Sequence, residues 1–571
     1  MPSSIPPYKN KITKIGQGSL GGKASGLKFI TKLLEQNPKL HQKFNQVELI
    51  IPQTLIITTD GFDDFLSLNG LQPSIFQNIP DEKIAQIFLQ ATIPEWITSQ
   101  LFFYLKNIND PLAVRSSSLL EDARYRSYAG LYHTYMLANN HSDIEKRMEH
   151  LIQAIKLVYA STYFHAPKSF RMRVGHNGVE EKMAVIIQQT VGKIYDKHFY
   201  PAISGVAQSN NYYPFGHMKP EEGIATIAMG LGKIVVEGEQ ALRFSPKYPE
   251  ILPQRSTVKD ILRGAQRFFY SIKMDQPYRP LNINDNYPLI RREVADIQNH
   301  SPLRHIASTY IPEEDRIRDT TQCDGYRVLT FAQILKHNHF PLADIISESL
   351  KLGQDAMGHS VEIEFAVNLN SNASSEKSQF AFLQMRPMSA RIGQEDVRIS
   401  GHEHRKAFCR SNHALGNAFK QDMRDILLVH PNTFDISKTI NIAKEISNLN
   451  LKLIKQGRKY LLIGPGRWGS NDRWLGIPVA WQDIYGVGAI VETYSPQMPS
   501  EPSQGSHFFH NISTIGINYL TIGNTDKDYL NWDWLLSQPS MNQGPFVIHL
   551  RFDNPMILKV DGRKLNGVIY F

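Results

Sequence analysis

Apolar and polar residues follow one another in patterns that predict alternating strands and helices. In the stretch 111–137, the apolar run Leu112–Val114 predicts a buried strand that stops at Arg115. Three serines and a polar loop follow, and residues 131–137 then alternate between apolar and polar as a second strand. Gly130, just before this strand, allows a close approach of the backbone to a ligand.

Other segments of the first 200 residues have equally clear periods. The segment 15–34 predicts a glycine-rich turn that leads into a helix, with Lys23 near the helix N-terminus. A second helix is predicted over residues 143–164. The continuous apolar run 183–187 is typical of a central strand, and Gln188 follows at its end.

Two strands near residue 370 combine a core face with a polar face. In the segment 361–367, alternation places Glu362 and Glu364 on one side and apolar residues on the other. In the following strand, four residues are predicted to share one face: Phe380, Phe382, Gln384 and Arg386. A hairpin of these strands would set the two carboxylates and an arginine on a common surface.

The C-terminal third has a different pattern and predicts a separate α/β domain. A helix is predicted over residues 436–456, followed by a strand that leads into the glycine loop 464–470 around Arg467. A second loop places His507 and His510 among small hydroxylated residues. The loop around Arg467 suits a phosphate and equally suits a plain turn.

Length and composition limit the class of protein. A chain of 571 residues, 42% apolar and 20% charged, is expected to form about two to four globular domains. We find no transmembrane or signal-peptide pattern, so we expect a cytoplasmic protein with no membrane partner. The net charge of +8 favours an anionic partner, but the charge is spread thinly, which disfavours nucleic acid.

Several of these residues are suited to phosphate chemistry. Arg115 with its serines offers donors to phosphoryl oxygens, and Lys23 lies where a helix N-terminus attracts anions. Glu121 and Asp122 are placed to face a metal or a base, and paired carboxylates in one strand suit Mg²⁺. Each motif also has a purely structural interpretation, as a hairpin with a solvated loop, a structural turn or a surface salt bridge.

Together the motifs resemble the N-terminal nucleotide-binding domain of the phosphoenolpyruvate synthase and pyruvate phosphate dikinase family. The matching segments occur in the family's order: GGKASGL, AVRSSSLLED, SYAG, VIIQQTV, GLGKIVVEG, IEF and LQMRP. The resemblance implies an ATP-grasp-like fold with lobes at 1–195 and 196–392, followed by the α/β domain at 393–571. It also implies ATP and Mg²⁺ as cofactors.

The resemblance assigns roles to individual residues. It implies phosphate contacts at Lys23 and Arg115, a purine contact near Gln188, metal at Glu364, and Gln384 and Arg386 near the transferred phosphoryl group. The paired strands add Glu362 and Gln384 as candidate metal ligands. The remaining candidates for nucleotide binding are Gly130, Gly230, Gly232, Glu237 and Arg467, although the glycine turns also suit a structural role.

The chain departs from the family in several places, one of which is the segment SGVAQSNNYYPFG. Lys233 stands where the family turn carries an acid, so that ligand is missing or moved to Glu237 or Glu239. The TSHxA phosphohistidine motif and the barrel that binds phosphoenolpyruvate are absent from the sequence. The first hypothesis is a dikinase-type phosphotransferase whose acceptor is recognised by the C-terminal domain. The second is a nucleotide-binding regulatory or sensing protein without turnover.

The acceptor in the first hypothesis is a small molecule or a histidine of the chain itself. A dikinase must hold a phosphoryl group between two half-reactions, and a neutral imidazole is nucleophilic near pH 7. His507 has the most suitable small and polar neighbours, with His510 as its partner or the true acceptor. The aromatic residues beside His507 fit a packed structural histidine equally well. A homo-oligomer also remains open.

Overall fold

The computed structural model describes residues 12–121, 130–174, 181–283, 287–298, 300–370, 376–388, 397–498, 506–514, 516–524 and 526–571. These residues form three main sheets with helices packed on them, a mixed α/β architecture consistent with the ATP-grasp-like fold that the resemblance implies. Asp122 lies outside the described residues, as does the side chain of His510.

The first sheet contains the predicted central strand. Its five strands are, in spatial order, Ile12–Ile15, Thr54–Ile57, Met183–Gln189, Leu112–Ser118 and Thr134–Leu137. Met183–Gln189 lies in the middle and is almost entirely buried, as its continuous apolar run predicts. The helices of this part of the chain are Gly21–Gln36, Pro38–Lys43, Thr59–Leu68, Asp81–Gln90, Glu95–Asn107, Ile144–Ser161 and His165–Val174.

The strand that carries Arg115 is longer than its apolar run. It continues through all three serines, because Ser116–Ser118 pair with Met183–Val185 of the neighbouring strand. The prediction that the strand stops at Arg115 is therefore wrong. Each serine hydroxyl donates a hydrogen bond, to Glu121, Leu20 and Glu181 respectively. For example, Ser117 donates from Oγ to the carbonyl of Leu20 and accepts from the amide of Ala24.

The second sheet contains the carboxylate strand. Its six strands are, in spatial order, Leu242–Phe244, Ile224–Ala228, Ile203–Gln208, Val361–Asn368, Ser378–Pro387 and Val47–Ile50. Val47–Ile50 comes from the first 195 residues but pairs in parallel with Ser378–Ala381. A strand from the first 195 residues therefore belongs to the second sheet. The lobe boundary at residue 195 stays a prediction.

Helices and two small sheets complete this part of the protein. Gly21–Gln36 packs on Ser378–Pro387 so closely that a Cβ atom on Gly26 would lie 2.2 Å from the carbonyl oxygen of Met385. The other helices are Lys233–Val236, Val258–Gly264, Leu303–Ile306, Ala332–Leu335 and Leu342–Met357. The strands of the small sheets are Lys193–Tyr195, His198–Tyr200, Phe268–Lys273 and Leu289–Glu293, then Ala307–Ile311, Arg316–Arg318 and Tyr326–Leu329.

A bulge in the hairpin changes which side chains share a face. Glu364 pairs with Gln384, but the next residue, Phe365, pairs with Phe382, so that Leu383 has no partner. Gln384 and Arg386 therefore lie with the carboxylates. Two further residues, Phe380 and Phe382, lie in the core on the opposite face. The prediction that these four residues of the strand share one face is wrong because strict alternation does not survive the extra residue.

The C-terminal third has a large sheet of its own. In spatial order its strands are His413–Leu415, Asn518–Ile522, Val487–Thr493, Lys459–Pro465, Ala418–Val429, Val547–Asp561, Asn566–Tyr570, Cys409–Ser411 and Tyr529–Leu530, with Ser540–Gln543 added beside Val547–Asp561. A separate two-stranded sheet joins Arg467–Trp468 to Gly476–Ile477. The helices are Gly401–Lys406, Thr439–Lys455, Trp481–Ile484, His507–Thr514 and Trp532–Ser537.

The C-terminal part of the chain contacts residues beside the first sheet and residues beside the second sheet. Phe170, in the helix His165–Val174, meets Trp481 with ring centroids 5.6 Å apart. On the other side, the Ser470 hydroxyl donates to the carbonyl of Gly238 at 3.0 Å. The helix His507–Thr514 lies close to both parts of the chain, since Cβ atoms on Gly130 and Gly469 would lie 2.3 Å from His507 Nδ1 and 2.1 Å from the Phe508 ring.

Candidate functional site

Lys23 is fixed at the start of its helix by a tight turn. Gly21 has φ of +74°, and a Cβ atom there would lie 1.8 Å from the carbonyl oxygen of Ser117, so only glycine fits. The Lys23 ammonium is buried, forms an ion pair with Glu121 at 2.6 Å and donates to Ser116 Oγ at 3.3 Å. Glu121 thus holds the lysine in position, a role that its place in the sequence alone did not reveal.

Arg115 connects the first sheet to the second. Its Nη2 donates to Glu364 Oε2 at 2.8 Å and to Gln384 Oε1 at 2.9 Å. Strand pairing explains this arrangement, because Glu364 and Gln384 are directly opposite each other and project from the same face. Three of the predicted site residues are therefore in contact.

Electrostatics keep Glu364 ionised. Burial by itself would raise the pKa of this carboxyl, but the Arg115 and Arg386 guanidinium groups outweigh burial and lower the pKa to about 2. The Glu364 and Gln384 oxygens converge on a single nitrogen of Arg115. Mg²⁺ prefers oxygen ligands. The Glu364 and Gln384 oxygens therefore fit a divalent cation that phosphate oxygens also bind.

Within the described residues, no group of three or more His, Cys, Asp or Glu side chains is arranged to hold a metal ion by itself. The two converging oxygens therefore suit a cation that takes its remaining ligands from a nucleotide and water, as Mg²⁺ does at phosphate sites.

Arg386 and Glu362 form a buried ion pair next to this centre. Arg386 Nε donates to Glu362 Oε1 at 2.8 Å, and Gln208 Nε2 donates to the other oxygen, Oε2. The side chains are only 4% and 2% exposed. Glu362 thus holds Arg386 in place, and its role as a metal ligand stays a prediction. Gln208, which the sequence reasoning missed, carries no local signal because its partner is far away in the chain.

His507 reaches this centre from the C-terminal part of the chain. A Cβ atom on Gly130 would lie 2.3 Å from His507 Nδ1, and Gly130 has φ of +65°. The imidazole is partly buried, and burial together with the Arg386 guanidinium lowers the pKa of His507 to about 3, although Glu364 opposes this shift. The ring is therefore neutral near pH 7.

The remaining predicted residues include Gln188, predicted to contact the purine base, and two glycines of the predicted glycine turn, Gly230 and Gly232. Gln188 is buried and donates from Nε2 to Thr54 Oγ1 at 3.4 Å. Gly230 needs its φ of +86°, because a Cβ atom would lie 2.7 Å from a neighbouring carbonyl oxygen. Gly232 caps the short helix Lys233–Val236 and has room for a side chain.

The two candidate replacements for the family's missing acid have different surroundings. Burial raises the pKa of Glu237 against the opposing effect of Lys233, whose ammonium lies 3.6 Å away. Glu239 is held by Arg291 at 3.1 Å and by the hydroxyl of Tyr270 at 2.9 Å. Glu239 is therefore committed to a local network.

Arg467 lies at the contact between the C-terminal part and the glycine turn. Its Nη1 donates to the carbonyl of Gly238 at 3.2 Å. The glycine loop that carries it thus makes a contact between two parts of the protein, and the proposed phosphate contact of Arg467 stays a prediction.

Comparison with known proteins decides the family. The family described as pyruvate phosphate dikinase, AMP/ATP-binding domain, matches residues 17–407, more than half of the chain. The chain belongs to this family. The match includes Lys23, Arg115, Glu364 and Arg386, and it ends before the C-terminal sheet begins.

Curated relatives match shorter segments. The uncharacterized phosphotransferase YvkC of Bacillus subtilis (strain 168) is 28% identical over 196 residues, which is 34% of this chain and 21% of that protein. A rifampicin phosphotransferase of Bacillus cereus is 25% identical over 171 residues, 27% of this chain and 18% of that protein. The matched segments thus span about a fifth of the length of these relatives.

No helix within the described ranges is long and apolar enough to cross a membrane.

Proposed function

We propose that this protein is an ATP- and Mg²⁺-dependent phosphotransferase of the dikinase type. One observation carries the proposal: a family domain for AMP/ATP binding brings Lys23, Arg115, Glu364 and Arg386 to one largely buried centre from three distant segments. Phosphoryl transfer needs this combination of cations and oxygen ligands, because charge on the transferred group must be neutralised.

Each residue has a distinct task in this proposal. Lys23 and Arg115 bind phosphate oxygens, and the carboxylates Glu121 and Glu364 hold these two cations in position. Glu364 and Gln384 hold Mg²⁺, which when bound neutralises and orients the phosphates. Arg386, held by Glu362, stabilises charge on the group in transfer. Gln188 lies on the purine side.

We propose His507 as the first acceptor. In this step, a P–O bond of ATP breaks, a P–N bond forms to the imidazole, and the leaving nucleotide keeps the electron pair. The lowered pKa supports the proposal because only a neutral ring has a nucleophilic lone pair. AMP is the product if a pyrophosphoryl group moves, and ADP if a single phosphoryl group moves.

A nucleotide sensor without turnover is the second candidate. Lys233 favours it, since a cation replaces the acid that the family turn carries. In this case the protein binds ATP with the same residues but releases neither AMP nor ADP.

Product analysis and labelling test both candidates. We expect AMP or ADP from ATP with Mg²⁺, and an acid-labile, base-stable label from ATP labelled in its terminal phosphates. The label should be lost in His507→Asn and retained in His339→Asn, which changes an exposed histidine elsewhere. A label that survives in both His507→Asn and His510→Asn contradicts the histidine acceptor, and absence of both products contradicts the phosphotransferase.

A further inference from the structure

A pocket of about 390 Å³ opens on the C-terminal part of the chain, and none of its lining residues belongs to the centre proposed for phosphoryl transfer. Most of them lie in or beside the helices Gly401–Lys406 and Trp532–Ser537 and the paired strands Cys409–Ser411 and Tyr529–Leu530. The volume is within the range of small-molecule sites, about 300–1,000 Å³. Because the family match ends at residue 407, most of the lining residues are outside the AMP/ATP-binding domain.

One wall of the pocket is aromatic. The ring of Phe408 packs against those of Trp534 and Phe571, with centroids 5.0 and 5.8 Å away. Phe571 is 39% exposed, and Tyr529, another lining residue, is 38% exposed. Part of each of these two rings is therefore open to a ligand, and a planar group can stack on it.

Three cations line the same space, namely Arg405, Lys406 and Arg410, and no acidic side chain is among the described residues around it. Arg405 and Lys406 are exposed, and neither forms an ion pair with a described residue. Their charges are therefore available to an anionic ligand.

Arg410 is placed by strand pairing. It pairs directly with Tyr529, so the two side chains project to the same side, and its guanidinium carbon lies 4.5 Å from the centre of the Tyr529 ring. The guanidinium donates one long hydrogen bond, at 3.5 Å, to the carbonyl of His404, and its Nε has no hydrogen-bond partner among the described residues. Since a carbonyl group carries no net charge, the charge of Arg410 is not neutralised by this contact.

The charge and the polar groups of the pocket select among aromatic anions. A phosphate monoester carries a charge of about −1.5 to −2 at pH 7 and accepts bidentate hydrogen bonds from arginine, so it matches three cations better than a carboxylate does. Asn531 accepts at Oδ1 from the amide of Trp534, which leaves the two N–H groups of its Nδ2 as donors. A nucleobase has ring nitrogens and carbonyl oxygens that accept such bonds, whereas a plain aromatic ring has none.

We propose that this pocket is a second nucleotide site, which binds a nucleoside monophosphate. The base stacks on the exposed rings and accepts a hydrogen bond from Asn531. The phosphate group pairs with Arg405, Lys406 and Arg410. Binding at this site requires no phosphoryl transfer and no nucleotide in the family domain.

Equilibrium dialysis of the full chain against AMP tests the site. Adenosine lacks the phosphate and ribose 5-phosphate lacks the base. Each should bind about tenfold more weakly than AMP, because the first loses the charge-assisted hydrogen bonds and the second loses the stacking.

Variants assign the binding to this pocket. The double variant Arg405→Gln with Lys406→Gln changes two exposed residues, which the fold tolerates, and should weaken AMP about tenfold or more. Arg410→Gln should weaken AMP as well. The control Lys444→Gln with Lys452→Gln removes the same number of exposed positive charges at residues that do not line the pocket, and should leave affinity unchanged.

Lys23→Met, measured well below its Tm, separates this site from the nucleotide site of the family domain. The AMP binding that is lost in Arg405→Gln with Lys406→Gln should persist in Lys23→Met. The reverse pattern places AMP in the family domain alone and overturns the inference. Equal affinity for AMP in this double variant and the wild type overturns it too, as does ribose 5-phosphate that binds as tightly as AMP.

A single-stranded pentanucleotide tests the size of the ligand. Binding about 100-fold tighter than that of AMP identifies a nucleic-acid strand as the occupant and overturns the mononucleotide. The release of AMP or ADP from ATP is measured separately. Its absence contradicts the phosphotransferase and leaves this site standing, whereas its presence without AMP binding at this pocket does the reverse.

Discussion

Replacement of Arg386 separates the stability of the fold from the chemistry of the site. In Arg386→Met the Glu362 carboxylate, 2% exposed, loses the guanidinium that compensates its charge. Breaking a buried ion pair in this way costs about 3–5 kcal/mol, whereas an exposed pair contributes up to about 1 kcal/mol. For a lobe of ordinary domain size, the loss corresponds to a fall in Tm on the order of 10 °C.

The double variant Arg386→Met with Glu362→Met removes both charges. Because no buried charge is left without a partner, Tm should recover most of the loss. Turnover should not recover, since loss of a group that stabilises charge in the transition state costs about 3 kcal/mol, or roughly 100- to 1000-fold in rate.

Differential scanning fluorimetry and AMP or ADP release measure the two effects. The matched control is Arg318→Ala, which breaks an exposed Arg–Glu pair and should change neither Tm nor turnover noticeably. Wild-type turnover in the refolded double variant would refute the role of Arg386. A Tm equal to wild type in Arg386→Met would refute the electrostatic reasoning.

Three further predictions follow from the same site. Lys23→Met should weaken ATP binding by about tenfold or more, which equilibrium dialysis can check. It should also lower Tm in fluorimetry, because the buried Glu121 carboxylate loses the ammonium that lies 2.6 Å away. Gly130→Ala should reduce histidine labelling, because the added Cβ would meet the imidazole of His507. The control Gly70→Ala should not reduce labelling, because the space around that glycine is open. The pKa of His507 is lowered from its ordinary 6.5 to about 3 in the folded protein. Between these two pH values the unfolded chain binds more protons at this residue than the folded chain does. The free energy of unfolding should therefore rise with pH across this range. The rise of Tm between pH 4.5 and 6.5 should be smaller in His507→Asn, and an unchanged slope would contradict the depressed pKa.

The sequence predicted helices and strands correctly in segments where a single hydrophobic periodicity dominates. The alternation in Val361–Asn368 placed both carboxylates on one face, and the apolar run at Met183 predicted the central strand. The bulge at Leu383 has no such signal, because register depends on the partner strand and not on the sequence of either strand alone. The same holds for the serines after Arg115, which are in a strand because their neighbours supply the pairing.

The contacts of the site required the tertiary structure. Lys23 was recognised by its place at a helix start, but its partner Glu121 is almost 100 residues away in the sequence. The sequence marked His507 by its small and polar neighbours. Its position beside Gly130 follows only from the packing of the C-terminal part against the glycine turn and against Phe170.

The strand Val47–Ile50 determines the order in which this chain can fold during synthesis. It has no partner in the second sheet until Ser378–Ala381 leaves the ribosome, about 330 residues later. The first sheet needs no residue beyond Gln189, so it can form long before the second sheet acquires its edge strand. During this interval Val47–Ile50 is an unpaired segment open to chaperones, and a fragment that lacks it would expose Ser378–Pro387 as a bare edge prone to aggregation.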